Sequence, residues 1–214
     1  DVFSVADTVS KADGGTFDAS VTFAGDIRKS TAGTSNFAAG VSAGNSIQSG
    51  GNYNTVVGDE AGTAITTGDN NTLIGTFSGD AISTSSSNTA VGSYSMTSMT
   101  DGNNNVAVGT SALDIDTKGN YSVAVGRNAL GSQNFTSATD TYNVAVGYQA
   151  GTSITTGIQN TLLGGLAGDV LTDADYNIAI GLSALGGDTK GNKSVAIGAN
   201  ALAVQNFTSS TDTH

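Results

Sequence analysis

Proline, cysteine and tryptophan are absent from the 214 residues, and histidine and glutamate occur once each, at His214 and Glu60. Each absence closes a route. Without cysteine there is neither a disulfide framework nor a thiolate metal site, and without proline the 30 glycines do not spell collagen. A single terminal histidine leaves no Ser-His-Asp arrangement. One glutamate, with most aspartates placed in turn-like clusters, argues against the carboxylate pair of a glycosidase. Charge is scarce as well: 12% of residues carry it, 18 acidic against 7 basic, for a net −11. So dilute and negative a surface repels phosphate backbones and anionic lipid, so neither nucleic-acid nor membrane binding is expected. No apolar run nears the ~18 residues of a membrane span. The expectation is a non-enzymatic chain with no cofactor and no metal.

Large apolar residues are also few. Ile, Leu, Val and Phe supply 45 of the 214 residues, near the ~20% below which charged chains stay unfolded. The missing order comes from repetition. A unit of the form Asn-x-small/apolar-Val/Ile-Gly-x-x-Ala/Ser places its glycine at Gly40, Gly58, Gly75, Gly92, Gly109, Gly126, Gly147, Gly164, Gly181 and Gly198, in successive steps of 18, 17, 17, 17, 17, 21, 17, 17 and 17. A longer period lies over it. Asp116-Thr-Lys-Gly-Asn120 returns at Asp188 to Asn192, and Gln133-Asn-Phe-Thr-Ser137 at Gln205 to Ser209, both after the same four units. The longest step, from Gly126 to Gly147, therefore belongs to the pattern. Its four extra residues, within Gln133 to Tyr142, are expected to loop outward without shifting the register. Asn206 to His214 would begin a second such insertion, and the array is expected to continue.

Within a unit the alternation of Ser122-Val-Ala-Val-Gly126 has the period of two of a strand, with Val123 and Val125 on one side and Ala124 on the other. A second apolar position seven residues past the glycine, as at Ile65, Ile82, Met99, Ile154 and Leu171, precedes turn-forming clusters, so each unit reads as two short strands and two turns. The expected fold is all-β: a repeat solenoid with rungs of about 17 residues stacked ~4.8 Å apart. Ala or Ser three residues past each glycine, from Ala43 to Ala201, would fit a narrow interior. A rung this thin buries few aliphatic side chains, so the stripe of third-place strand residues is expected to pack against other chains around the axis of a homotrimer. That stripe is Val56, Leu73, Ala90, Ala107, Ala124, Ala145, Leu162, Ala179 and Ala196. Residues 1–34 differ in kind: Phe17, Ala19, Val21 and Phe23 alternate with polar residues and read as an extended lead-in, with the ten-unit array spanning 35–214.

Three patterns are candidates for chemistry. The recurring asparagines (Asn36, Asn54, Asn71, Asn88, Asn105, Asn143, Asn160, Asn177) could present a glycan-binding comb, but identical amides in stacked rungs more often bond to one another. Asp114-x-Asp116 and Asp173-x-Asp175 could offer oxygens to calcium, although aspartates in turns are more often solvated. The pair after each glycine varies while the scaffold repeats, and the aromatic and basic members Phe77, Tyr94, Arg127 and Tyr148 are the expected contacts for a receptor, against the plainer reading of permissive turn sites. A flat threonine array for ice binding begins at Thr55, Thr72 and Thr89 but is interrupted by Val106, Val123 and Val144.

Ser122-Val-Ala-Val-Gly126 and Ser194-Val-Ala-Ile-Gly198, each followed by x-x-Ala, resemble the head repeats of trimeric autotransporter adhesins. That resemblance implies a left-handed parallel β-roll trimer, although adhesin heads of this kind use shorter units. Ala61-Gly-Thr-Ala-Ile-Thr-Thr-Gly68 with Asn71-Thr-Leu-Ile-Gly75, and Ala150-Gly-Thr-Ser-Ile-Thr-Thr-Gly157 with Asn160-Thr-Leu-Leu-Gly164, resemble repeat arrays in tail-fibre and virion proteins of marine bacteriophages. The segment Phe17 to Ile27 is similar to the strand before such arrays. The resemblance implies a trimeric fibre segment of a phage tail or virion appendage, partnered by itself, by other virion proteins and by a host-surface glycan or protein. The alternative is a bacterial surface adhesin head.

Overall fold

A computed structural model describes residues 32–212. Of the lead-in expected over 1–34, all but the last three residues lie outside the described residues, as does the strand expected from Phe17. Among the described residues there is no helix.

The strands are β1 (Phe37–Ala39), β2 (Thr55–Val57), β3 (Thr72–Ile74), β4 (Thr89–Val91), β5 (Val106–Val108), β6 (Gly119–Asn120), β7 (Val123–Val125), β8 (Thr139–Asp140), β9 (Val144–Val146), β10 (Thr161–Leu163), β11 (Ile178–Ile180), β12 (Gly191–Asn192), β13 (Val195–Ile197) and β14 (Thr211–Asp212). Ten of them, β1-β2-β3-β4-β5-β7-β9-β10-β11-β13, form one parallel sheet in that order. Each is one turn of a β-solenoid, and the register is unbroken across the longest step, with Val125 opposite Val146.

Each recurring glycine from Gly40 to Gly181 is required by the rung above it. Gly109 has φ 133°, and a Cβ there would lie 2.6 Å from the carbonyl carbon and oxygen of Gly126. No L-side chain fits that gap. The turns on either side use the left-handed region even without glycine, as at Tyr53, Phe77 and Leu113 with φ of 57°, 56° and 52°. Isolated residues pay for such a conformation; here, hydrogen bonds from the same turn one rung away hold most of them, for example Tyr121 N–H to the carbonyl of Asn103 at 3.2 Å. These left-handed turns are also why the second strand expected in each rung does not form. The return segment stacks through hydrogen bonds such as Thr66 N–H to Ser83 O at 2.9 Å, but it does not extend. Among the described residues only the inserted rungs add a second pairing, β6 with β8 and β12 with β14.

The stripe assigned to a trimer axis lies elsewhere. Val56, Leu73, Ala90, Ala107, Ala124, Ala145, Leu162, Ala179 and Ala196 are buried inside the chain's own core. The three-residue strands place their middle residue inward and their first and third outward, as in Val123-Ala124-Val125. The physical reason is width. Two walls of one narrow rung face each other, so the small residue goes inside and the β-branched pair goes outside. The Ala or Ser three past each glycine lines the same interior, from Ala43 to Ala184, with Ala201 packed against its end.

Core volume is conserved by exchange. Four residues past the glycine stands either Gly or a long side chain. Gly62 and Gly79 occur in rungs whose strand centre is Val56 or Leu73 and whose seventh position is Ile65 or Ile82. A Cβ at Gly79 would meet Leu73 Cδ2 at 2.8 Å and Ile82 Cδ1 at 2.9 Å. Where Leu113, Leu130 or Leu185 fills that place, the strand centre shrinks to Ala107, Ala124 or Ala179 and the seventh position turns polar, at Asp116, Gln133 and Asp188.

The insertion completes that polar seventh position and does not loop freely. Gln133, Phe135 and Thr141 are buried, while Thr136, Ser137 and Ala138 are exposed. Asp116 accepts from the N–H of Gly119 at 3.1 Å, from the N–H of Phe135 at 3.0 Å and from Gln133 Nε2 at 2.6 Å. A carboxylate so surrounded is tolerated at full burial. The same contacts recur four rungs on, where Asp188 accepts from Gly191, Phe207 and Gln205.

The exchange rule is testable by a double-mutant cycle on chemical denaturation. Leu73→Ala should cost ~2–5 kcal/mol as a cavity, and Gly79→Leu ~1–3 kcal/mol as overpacking. Combined, the two should recover at least ~1 kcal/mol relative to their sum. Strict additivity would refute volume exchange between those positions.

Candidate interaction surfaces and buried polar ladders

The recurring asparagines point inward, and their amides are consumed by the stack. Asn88 Oδ1 accepts the N–H of Asn105 at 3.0 Å, while its Nδ2 donates to Gly102 O at 2.9 Å. Asn71, Asn105, Asn143 and Asn160 repeat both bonds. These side chains are buried and paired, so they form a ladder and present no comb to a ligand. At Ser122 the amide is missing, and Gln133 supplies it: Nε2 donates to Ser122 Oγ at 2.8 Å and Oε1 accepts from Asn143 Nδ2 at 2.8 Å. Gln205 reaches Ser194 Oγ in the same manner at 3.1 Å. The serine in Ser-Val-Ala-Val-Gly is thus paired to a glutamine further along its own rung, a signal present in the sequence as the co-occurrence of Ser122 with Gln133 and Ser194 with Gln205.

Three of the four aspartates considered for calcium are similarly engaged. Asp116 is enclosed as described, Asp175 Oδ1 accepts the N–H of Ile158 at 2.8 Å, and Asp173 meets Lys190 Nζ at 3.4 Å. Among the described residues no group of three or more His, Asp or Glu side chains is arranged to hold a metal ion. Lys118 pairs with Asp101 at 3.2 Å one rung away. Such exposed pairs contribute at most ~1 kcal/mol.

Phe77, Tyr94, Arg127 and Tyr148 all lie on the edge where the strands end. The structure brings them together as two pairs. Phe77 stacks on Tyr94 with ring centroids 5.2 Å apart and planes inclined 17°. The Arg127 guanidinium lies 5.9 Å from the centre of the Tyr148 ring, within cation–π range. Arg127, Tyr94 and Tyr148 are exposed and Phe77 half-buried. The opposite edge, where the strands begin, carries four more tyrosines that the repeat pattern does not single out. Tyr53, Tyr121, Tyr142 and Tyr176 each directly precede the ladder residue, all exposed, and Tyr121 stacks on Tyr142 at 5.2 Å with planes 5° apart. Their signal is positional: each occupies the left-handed turn residue immediately before Asn or Ser of the ladder.

Between the edges runs the outward sheet face. Its two columns contain valine, isoleucine, leucine, threonine, one alanine and one phenylalanine, and no charge. Ile74, Leu163 and Ile178 are exposed on it.

Compared with known proteins, the chain matches no family model, no curated protein and no solved structure.

One carboxylate is poorly accommodated. Asp80 follows the Gly79 turn, its Oδ1 is buried without a hydrogen-bond partner, and so is Thr97 Oγ1. Burial pushes its carboxyl above the ordinary aspartate value, and Glu60 and Asp114 add repulsion in the same direction. A carboxyl raised on folding binds its proton more tightly in the folded state, so its contribution is fully present below the unfolded value and lost as pH rises through the folded one. Asp80→Asn should therefore raise the thermal midpoint at pH 7 by roughly 1–4 °C, and the gain over wild type should vanish near pH 3. An equal gain at both pH values would show that desolvation of the charge is not the cause.

Proposed function

We propose that this chain is a structural segment of a trimeric fibre from a bacteriophage tail or virion appendage, a rigid non-catalytic rod that also contacts the host surface. The observation that supports this reading is the solenoid itself: ten rungs of unbroken register, ~45 Å long at the β spacing, cross-braced by buried amide ladders. A solenoid of stacked rungs transmits force along its axis without a hinge. The repeat wording resembles phage fibre arrays, and the two edge pairs, Phe77 with Tyr94 and Arg127 with Tyr148, supply aromatic faces of the kind that stack on sugar rings. Other virion proteins would be its partners along the axis, and the virion its location. An adhesin head on a bacterial surface is the second reading, carried by Ser122-Val-Ala-Val-Gly126 and Ser194-Val-Ala-Ile-Gly198.

Sedimentation of the 214-residue chain should give particles of three chains of 21.1 kDa each. A monomer across micromolar concentrations would remove the trimeric rod. Changing Phe77, Tyr94, Arg127 and Tyr148 to Ser should abolish binding of the labelled chain to cells from a panel of marine bacteria. Its thermal midpoint should stay within ~4 °C of wild type, since three of the four are exposed and none lies in the core. Undiminished binding by the quadruple variant would leave the rod a passive spacer.

A further inference from the structure

We infer that the outward face of the ten-stranded sheet, with the tyrosines along the edge where its strands begin, is the surface through which copies of this chain pack together. The inference rests on the fibre reading for its oligomer and adds which face makes it. The burial of the Ala and Leu stripe inside the core removes that stripe from any interface. What remains accessible on the sheet is its first and third columns.

Three observations select a second copy as the occupant. The first is composition. No outward strand position carries a charge in a chain of net −11, whereas the return side holds Asp101 with Lys118 and Asp173 with Lys190. Four of the six tyrosines, Tyr53, Tyr121, Tyr142 and Tyr176, are exposed along the edge where the strands begin. Depleted charge and enriched aromatics are the signature of an interface core. The second is area. The twenty outward side chains at roughly 40 Å² each expose ~800 Å², about what one partner contributes to a stable complex and above the patch size monomers ordinarily leave bare. The third is periodicity. The columns repeat once per rung over ten rungs, without interruption at the insertion. A surface with the same spacing is needed to interdigitate with such a row along its whole length, and another copy of this chain has it by construction.

The chain has no cysteine, so single cysteines report proximity cleanly. In the full-length chain, Val125→Cys treated with a short bis-maleimide should cross-link into a two-chain band. Thr67→Cys, exposed on the return side, should not. In a trimer the band takes at most two chains of every three; complete conversion would indicate a pair packed face to face, which keeps this surface and overturns the threefold. Separately, Val108→Lys with Val146→Lys should convert the wild-type particle to monomer while keeping its β circular dichroism. Should that variant fail to fold, the cross-link decides alone. An assembled wild type in which Val125→Cys does not cross-link overturns this face and leaves the fibre reading standing. A wild type monomeric at all concentrations overturns both.

Discussion

Everything in this molecule follows from the requirement that the chain come back, once per rung, to a point one β spacing above where it left. Backbone hydrogen bonds alone satisfy that requirement weakly in strands of three residues. The buried asparagine column strengthens it, because each side chain closes two bonds at once: it receives the backbone N–H of the next rung and donates to the carbonyl of the next rung's return turn. An amide out of register by one residue would leave both groups buried and unpaired, at ~1–3 kcal/mol each. The ladder therefore specifies register as well as adding stability. Its two interruptions, at Ser122 and Ser194, coincide with two glutamines whose amides donate to the serine hydroxyls instead.

A rung held that tightly has room for little else, and the small interior decides the remaining choices. One long side chain in the turn excludes a second in the strand, so Leu113 accompanies Ala107 where Gly79 accompanies Leu73. The same narrowness sends β-branched residues outward, where a pleated surface suits them. This core is consequently built from alanines, single leucines and amides, and the larger aliphatic groups of the strands are left on the outside.

Much of this is legible in the sequence. The period, the obligatory glycine, the strand at Asn-x-x-x-Gly, the narrow interior at Ala61 or Ala112 and the amide ladder all follow from spacing and residue size. Direction is not legible from alternation alone, since a period of two defines two faces without saying which is inside. The intuition that the larger residues go in places Ala124 on an axis it does not occupy. The corrective signal is Thr55, Thr72, Thr89 and Thr161, which share a column with Val123 and belong on a face with access to water. A second strand per rung is a natural misreading because left-handed turns at Met96, Leu113 and Leu130 carry no glycine to announce them. The edge tyrosines are hidden for the same reason, and the insertion reads as a free loop because nothing local marks Gln133 and Thr141 as buried.

The left-handed turn columns also explain how one scaffold separates two tasks. In the column before the ladder and in the column two past the glycine, no such residue is buried, so Tyr, Asn, Ser, Gln and Lys interchange in the first and Ser, Glu, Phe, Tyr, Asn, Gln and Leu in the second. The outward sheet columns have no such freedom: they hold to aliphatic residues, threonine and a single terminal phenylalanine through ten rungs. A surface that stays uniform suits a partner with the same repeat, and a surface that varies rung by rung suits a target without one. On the proposed reading, assembly belongs to the strands and recognition to the strand-end turns carrying Phe77, Tyr94, Arg127 and Tyr148. Recognition can then diversify by substitution at those turns without disturbing the register that keeps the rod straight.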